Sequence, residues 1–343
     1  MAFALVDAAV EAQADWVKFQ TFRAESLVTK SVPLAEYQKH NATVKDVHVD
    51  NQFTMLKNLE LDHATHLALR KHCKASGIQF LSTPFDHESL DFLVNDMGLD
   101  TLKLGSGDLT NAPLLLEIGR TGCSLILSTG MADIKEIDAA LGVLAFGYIK
   151  ASERPCHKEF KAAWQSKEGR RIVQERVTLL HCTSAYPAPI EDVNLRVMET
   201  LRERFNVSVG FSDHTKGVAA AVASAVLGAS FIEKHLTLDN TLQGPDHAMS
   251  CEPEEFARLV SEVKIARLAM GSGTKLVAKS EDNVRSVARK SLVCLSEIRE
   301  GELFDETTLA VKRPGTGISA LEYYEWLGRP AAKNYSKDDI IND

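Results

Sequence analysis

From residue 2 to residue 270 the chain alternates helix-like and strand-like segments, and most of the strand-like ones are continuous apolar runs. Helix patterns at 2–13, 62–76, 87–96, 112–121, 133–147, 192–204, 217–228 and 254–270 separate strand patterns at 15–22, 78–85, 101–107, 124–131, 177–186, 207–213 and 231–238. Strands covered on both faces read as unbroken apolar runs, whereas strands with one wet face alternate. Such alternation over this length fits a (β/α)8 TIM barrel, with a doubly wound open sheet as the alternative. A closed barrel of this kind needs eight strands. Seven strand patterns are present and the chain opens on a helix, so the expectation is a barrel missing its first strand.

Two stretches interrupt the alternation. Residues 23–61 and the polar segment 148–175 read as surface excursions. Near residue 271 the pattern changes, and GSGTKLVAKSEDN has the glycine, serine and lysine content of a linker. The expected organisation is a barrel over 1–271, a linker over 272–286 and a small domain of mixed β character over 287–343.

The formal net charge of −8 offers no basic surface for nucleic acid. It leaves room for a small anionic ligand held by local cations. The six cysteines are scattered with no CxxC pair, which suggests reduced thiols and a cytoplasmic protein. No apolar run approaches the roughly 20 residues of a membrane span. No GxGxxG, GxxxxGK(S/T) or GxSxG pattern occurs, so a dinucleotide, ATP and a serine nucleophile elbow are not indicated.

Chemistry in a (β/α)8 barrel sits at the carboxyl ends of the strands. Those ends supply Lys18 and Gln20, Ser82 and Thr83, Lys103 with Ser106 and Asp108, and Ser128 with Thr129. Later ends supply His181, Ser184 and Tyr186, then Ser212, Asp213 and His214, then Glu233 and His235. Residues two apart share a strand face, so Lys18 joins Gln20, Ser212 joins His214 and Glu233 joins His235. A single strand-end histidine is more often structural than a ligand. Two on consecutive strands, each beside a polar neighbour, suit a divalent transition metal with open positions. Lys18 alone could snorkel. With Lys103 and several hydroxyls it points to anion binding, and GSG at 105–107 would let backbone N–H groups approach a phosphate.

The motifs VKFQT, STPF, LKLGSGD, LSTGM, LHCTSAYP, EDVNL, GFSDHT and EKHLT, followed by GPDHAMS and VKRPG, resemble the sialic acid synthase family in kind and order. The resemblance implies a phosphoenolpyruvate-dependent transferase that makes a nine-carbon 2-keto sugar acid of sialic or legionaminic type. The acceptor would be an N-acetylmannosamine-type sugar. It implies that His214 and His235 ligate a divalent metal, Mn2+ with Mg2+ or Co2+ as alternatives. It gives Lys18, Lys103, Ser106, Ser128 and Ser212 to the carboxylate and phosphate of phosphoenolpyruvate. Gln20, Tyr186 and Asp246 would contact the sugar, Ser184 would bind substrate, and Asp108 joins Lys103, His214 and His235 as catalytic. Residues 287–343 would be an antifreeze-like (SAF) domain. Its Arg313 would reach the acceptor's N-acetyl group across a domain-swapped homodimer.

Family members open with a glutamate-bearing strand of the pattern AEIGxNHxG, which coincides with the strand not found here. Asp108 and Ser184 stand where some members carry Glu and Asn. Two other readings remain at this level: a related 3-deoxy-sugar-acid synthase, and a non-catalytic sugar-binding homologue.

Overall fold

In the computed structural model, which describes residues 1–33 and 51–342, the chain divides into Met1–Gly271 and Ser272–Asp343. The apolar runs of the first unit form seven strands: β1 Trp16–Thr21, β2 Gln79–Pro84, β3 Thr101–Leu104, β4 Ser124–Ser128, β5 Val177–Cys182, β6 Ser208–Asp213 and β7 Ile232–Lys234. They run parallel in two ladders, β1-β2 and β3-β4-β5-β6-β7, and β2 lies beside β3 without a ladder between them. The result is a curled parallel sheet with helices on its outer face.

Helix boundaries follow local chemistry. Asp62 accepts from Thr65 N at 2.7 Å to start α1 (His63–Ser76), and Gly77 ends it at φ 76°. Asn111 caps α2 (Ala112–Thr121), and Asp133 with Glu136 forms a capping box on α3 (Ile134–Tyr148). Each such cap stabilises its helix by about 1 kcal/mol. The helix Ala2–Glu11 precedes all of these and packs against both α1 and the long helix Pro253–Met270. Among the described residues no helix is long and apolar enough to cross a membrane.

The segment 148–175 does not form the expected surface excursion. Two helices, His157–Gln165 and Lys167–Arg176, pack on α3 and bury Ala163, Trp164 and Val173 in the main core. Trp164 is 8% exposed and donates Nε1–H to Asp138 at 3.1 Å. The other excursion, 23–61, includes the helical pieces Ala24–Leu27 and Gln52–Leu59, and its 34–50 portion lies outside the described residues.

No strand lies between β1 and β7 among the described residues. A cavity of 840 Å³ occupies that position, with Val17, Phe19, Phe231, Ile232 and Leu259 among its apolar lining. In the second unit β8 (Ser291–Cys294) pairs antiparallel with β9 (Leu309–Lys312). Leu292, Ile298, Phe304, Leu309, Tyr335 and Ile341 form its core. A 3-10 turn Lys279–Glu281 and a helix Asp282–Ala288 precede β8, so part of the stretch expected as linker is helical.

Candidate active site

Strand parity builds the site in layers. The inner faces of five strands first supply an apolar floor of Leu81, Ile126 and Leu180, with Trp16 and Phe231 packed against it. Two residues further along each of those strands, the same faces carry Lys18, Thr83, Ser128, Cys182 and Glu233. Lys103 and Ser212 join this layer from β3 and β6. Five apolar side chains below and a polar ring above put the polar groups of these strands at the carboxyl edge of the sheet.

Register then decides which groups meet. β6 pairs with β7 so that Ser212 faces Glu233, and the Ser212 hydroxyl donates to Glu233 Oε1 at 2.9 Å. Lys103 is 2% exposed and donates to Ser128 Oγ at 2.7 Å and to its neighbour's carbonyl, Leu104 O, at 3.0 Å. Its Nζ lies 3.6 Å from Glu233 Oε1, and Lys18 Nζ lies 3.9 Å from Glu233 Oε2. Burial pushes the Lys103 ammonium below its ordinary range, against the opposing pull of Glu233. Burial alone would raise the Glu233 carboxyl. The charges of Lys103 and Lys18 and the Ser212 hydroxyl outweigh it and hold the group at about 2. Glu233 Oε2 is buried with no hydrogen-bond partner.

One step beyond the Ser212–Glu233 pair stand the two imidazoles. The ring centroids of His214 and His235 are 5.5 Å apart, with Tyr186 4.3 Å from the first ring and 5.9 Å from the second. His214 Nδ1 lies 2.8 Å from Thr183 O. A carbonyl only accepts, so Nδ1 carries the proton and the lone pair is left on Nε2. Burial pushes the His235 imidazole down to about 4, which keeps it neutral with a free lone pair. For His214 burial acts downward too, but the Cys182 thiol and the Thr183 carbonyl leave it above its ordinary value. Among the described residues no cluster of three or more His, Cys, Asp or Glu could hold a metal. Two imidazoles without a carboxylate cage fit an ion whose remaining positions belong to water or substrate.

Cys182 and Gly130 belong to this site although the sequence reading did not single them out. Cys182 Sγ lies 3.5 Å from Ser106 Oγ, 3.8 Å from Ser184 Oγ and 3.9 Å from His214 Nδ1. Gly130 N donates to Ser106 Oγ at 2.9 Å. A β-carbon at Gly130 would collide with Ser184 Oγ and come within 2.9 Å of Cys182 Sγ and Ser106 Oγ, so a bare backbone is needed there. Strand parity was the available signal for Cys182: it shares the inner face with Leu180, whereas His181 points outward. His181 is buried with Nε2 2.6 Å from Val193 O, a structural histidine.

The remaining expected site residues are spread more widely. Gln20 is exposed and lines the cavity between β1 and β7 together with Lys18, Glu233, His235 and Asp246. Asp246 Oδ2 is 4.0 Å from His235 Nδ1, beyond hydrogen-bond reach. Asp108 follows β3 in the turn Ser106–Asp108, and its Oδ1 accepts from Asn111 Nδ2 at 3.0 Å. Burial raises its carboxyl, and the Asn111 bond opposes that. Arg313 lies in the second unit, exposed just after β9.

A parallel α/β sheet whose carboxyl edge gathers two ammoniums, a ring of hydroxyls and a pair of imidazoles is built to hold a small anion beside a second polar reactant. The NeuB family model matches residues 5–275. The chain belongs to the NeuB family. N,N'-diacetyllegionaminic acid synthase of Campylobacter jejuni is 42% identical over 339 residues, covering 99% of this chain and 93% of that protein. The enzyme of the same name from Legionella pneumophila is 39% identical over 332 residues, 97% of this chain and 86% of that protein. The crystal structure of N-acetylneuraminic acid (sialic acid) synthetase from Leptospira borgpetersenii, in complex with citrate, superposes with a TM-score of 0.65 at 30% identity. That match covers 82% of this chain and 84% of the other.

Proposed function

We propose that this chain condenses phosphoenolpyruvate with an N-acetylmannosamine-type sugar to give a nine-carbon 2-keto sugar acid and phosphate. The observation that carries this reading is the convergence of Lys18, Lys103, Ser128 and Ser212 beside His214 and His235 at one edge of the sheet. Similarity to the two legionaminic acid synthases points to a 2,4-diacetamido acceptor.

In this reading Lys18 and Lys103, with Ser106, Ser128 and Ser212, hold the carboxylate and phosphate of phosphoenolpyruvate. Charge-assisted contacts of this kind are worth about 1.5–3 kcal/mol each. Gln20, Ser184, Tyr186 and Asp246 orient the sugar, and Asp108 serves proton transfer. His214 and His235 would hold a divalent ion, Mn2+ by preference, which when bound supplies Lewis-acid polarisation of a sugar carbonyl. Carbon 3 of phosphoenolpyruvate attacks the aldehyde carbon, water adds at carbon 2, and phosphate leaves with the bridging oxygen. The lysines stabilise the phosphoryl charge and need transfer no proton.

The finer reading extends to the rest of the chain. The cavity between β1 and β7 has the position of an eighth strand, and such a strand would remove two unpaired sheet edges. The second unit would be an SAF domain whose Arg313 completes the sugar site of a partner chain in a cytoplasmic homodimer.

Three experiments test these points. The chain is incubated with phosphoenolpyruvate, Mn2+ and either N-acetylmannosamine or a 6-deoxy-2,4-diacetamido mannose analogue, and products are identified by mass. A nine-carbon acid from the diacetamido sugar is expected, and no acid from either sugar would refute the reading. Chains bearing Arg313→Ala and His235→Ala, each impaired alone, should regain activity when mixed. Failure to complement would refute the shared site. A chain extended ahead of Met1 by a strand of the pattern EIGxNHxG should be more active and more heat-stable. No gain in either would refute the eighth strand.

A further inference from the structure

Among the described residues Glu233 is the one charged side chain of the site to which the proposed reaction assigns no task, and its surroundings are unusual. Its carboxylate stands 3.6 Å from Lys103 Nζ and 3.9 Å from Lys18 Nζ, and it takes the Ser212 hydroxyl at 2.9 Å. Those are three of the groups that the anionic substrate would use. Both lysine contacts are longer than a good charge-assisted hydrogen bond, which runs at about 2.7–2.9 Å. The second oxygen, Oε2, is buried and makes no hydrogen bond. A carboxylate in this state shares one negative charge between two ammoniums without being fully satisfied itself.

We propose that Glu233 is an internal counter-ion which stands in for the substrate anion in the free protein and from which that anion must win the two lysines and Ser212. This deepens the proposed function and rests on its assignment of Lys18 and Lys103 to the anion. The physical consequence is a set point for affinity. Binding then exchanges one set of ion pairs for another, so only the difference between them appears as net affinity. Like charges a few ångströms apart in partly buried surroundings also repel. A bound dianion is held loosely enough to leave, which matters for a reaction whose product includes free phosphate. Removal of the carboxylate leaves the lysines without that counter-charge, while Lys103 keeps its bonds to Ser128 and Leu104, so an external anion should bind more tightly, not less.

The test titrates inorganic phosphate into the full-length chain by calorimetry for the unaltered protein, Glu233→Asp and Glu233→Gln. Glu233→Gln keeps an acceptor for Ser212 and deletes the charge. It is expected to bind phosphate at least tenfold more tightly than the unaltered protein. Glu233→Asp draws the charge back by one methylene and is expected to fall between the two, which keeps a readable variant if the amide chain does not fold. Binding of the uncharged acceptor sugar should stay the same in all three, a result that a merely structural role would not give. Equal or weaker phosphate binding by both folded variants would overturn the inference. Failure of the unaltered protein to bind phosphoenolpyruvate, by contrast, would overturn the anion assignment on which the inference stands.

Discussion

Replacing either His214 or His235 by alanine is expected to abolish turnover and to lower the affinity for the divalent ion proposed above, while the chain still folds. The rings stand 5.5 Å apart just past the ends of β6 and β7, one fixed by Thr183 O and the other held neutral by burial. No third His, Cys, Asp or Glu completes a metal-holding cluster among the described residues. In the proposed site, loss of one imidazole would therefore leave the ion one protein ligand. Lewis-acid stabilisation is worth several kcal/mol, so a fall in rate of roughly a thousandfold or more follows. Rates and metal content measured on the same samples check this. A His235→Ala chain with unchanged stoichiometry and rate would contradict it.

The largest effect on stability is expected outside the site, at the buried ion pair behind it. Lys234 Nζ donates to Asp213 Oδ2 and to Thr215 O, both at 2.7 Å, and the Lys234 and Asp213 side chains are 3% and 0% exposed. Asp213 Oδ1 takes the backbone N–H and hydroxyl of Thr215, both at 2.8 Å. These bonds cross from β6 to β7 on the outer face, directly behind Ser212, His214, Glu233 and His235. Removal of one partner strands a buried charge, which costs about 3–5 kcal/mol. Asp213→Ala and Lys234→Ala should each lower the urea midpoint by a corresponding amount. Asp213→Leu combined with Lys234→Met should lower it less, because no charge is then left unpaired. A loss below about 1 kcal/mol in both single variants would contradict this account.

Much of this arrangement was legible in the sequence because strands obey a two-residue period. Parity alone put Lys18 with Gln20, Ser212 with His214 and Glu233 with His235. Continuous apolar runs identified the parallel strands for the same physical reason: both faces are covered. Parity applied to LLHC also turns Cys182 inward and His181 outward, although a strand-end imidazole reads more readily as a site residue than a buried thiol does. The role of Gly130 was not legible, because it depends on Ser106, Cys182 and Ser184 arriving from other strand ends. The two helices within 148–175 were hidden for a different reason. They bury few side chains, chiefly Ala163, Trp164 and Val173, so their sequence is almost wholly that of a solvated surface.

The central claim is that one mouth binds phosphoenolpyruvate and an amino sugar and joins them with loss of phosphate. The most direct measurement uses phosphoenolpyruvate labelled with 18O at the bridge between carbon 2 and phosphorus, and follows the released phosphate by mass. The account predicts phosphate that carries the label, formed only when the acceptor sugar is present. Unlabelled phosphate, or phosphate released at the same rate without the sugar, would contradict it.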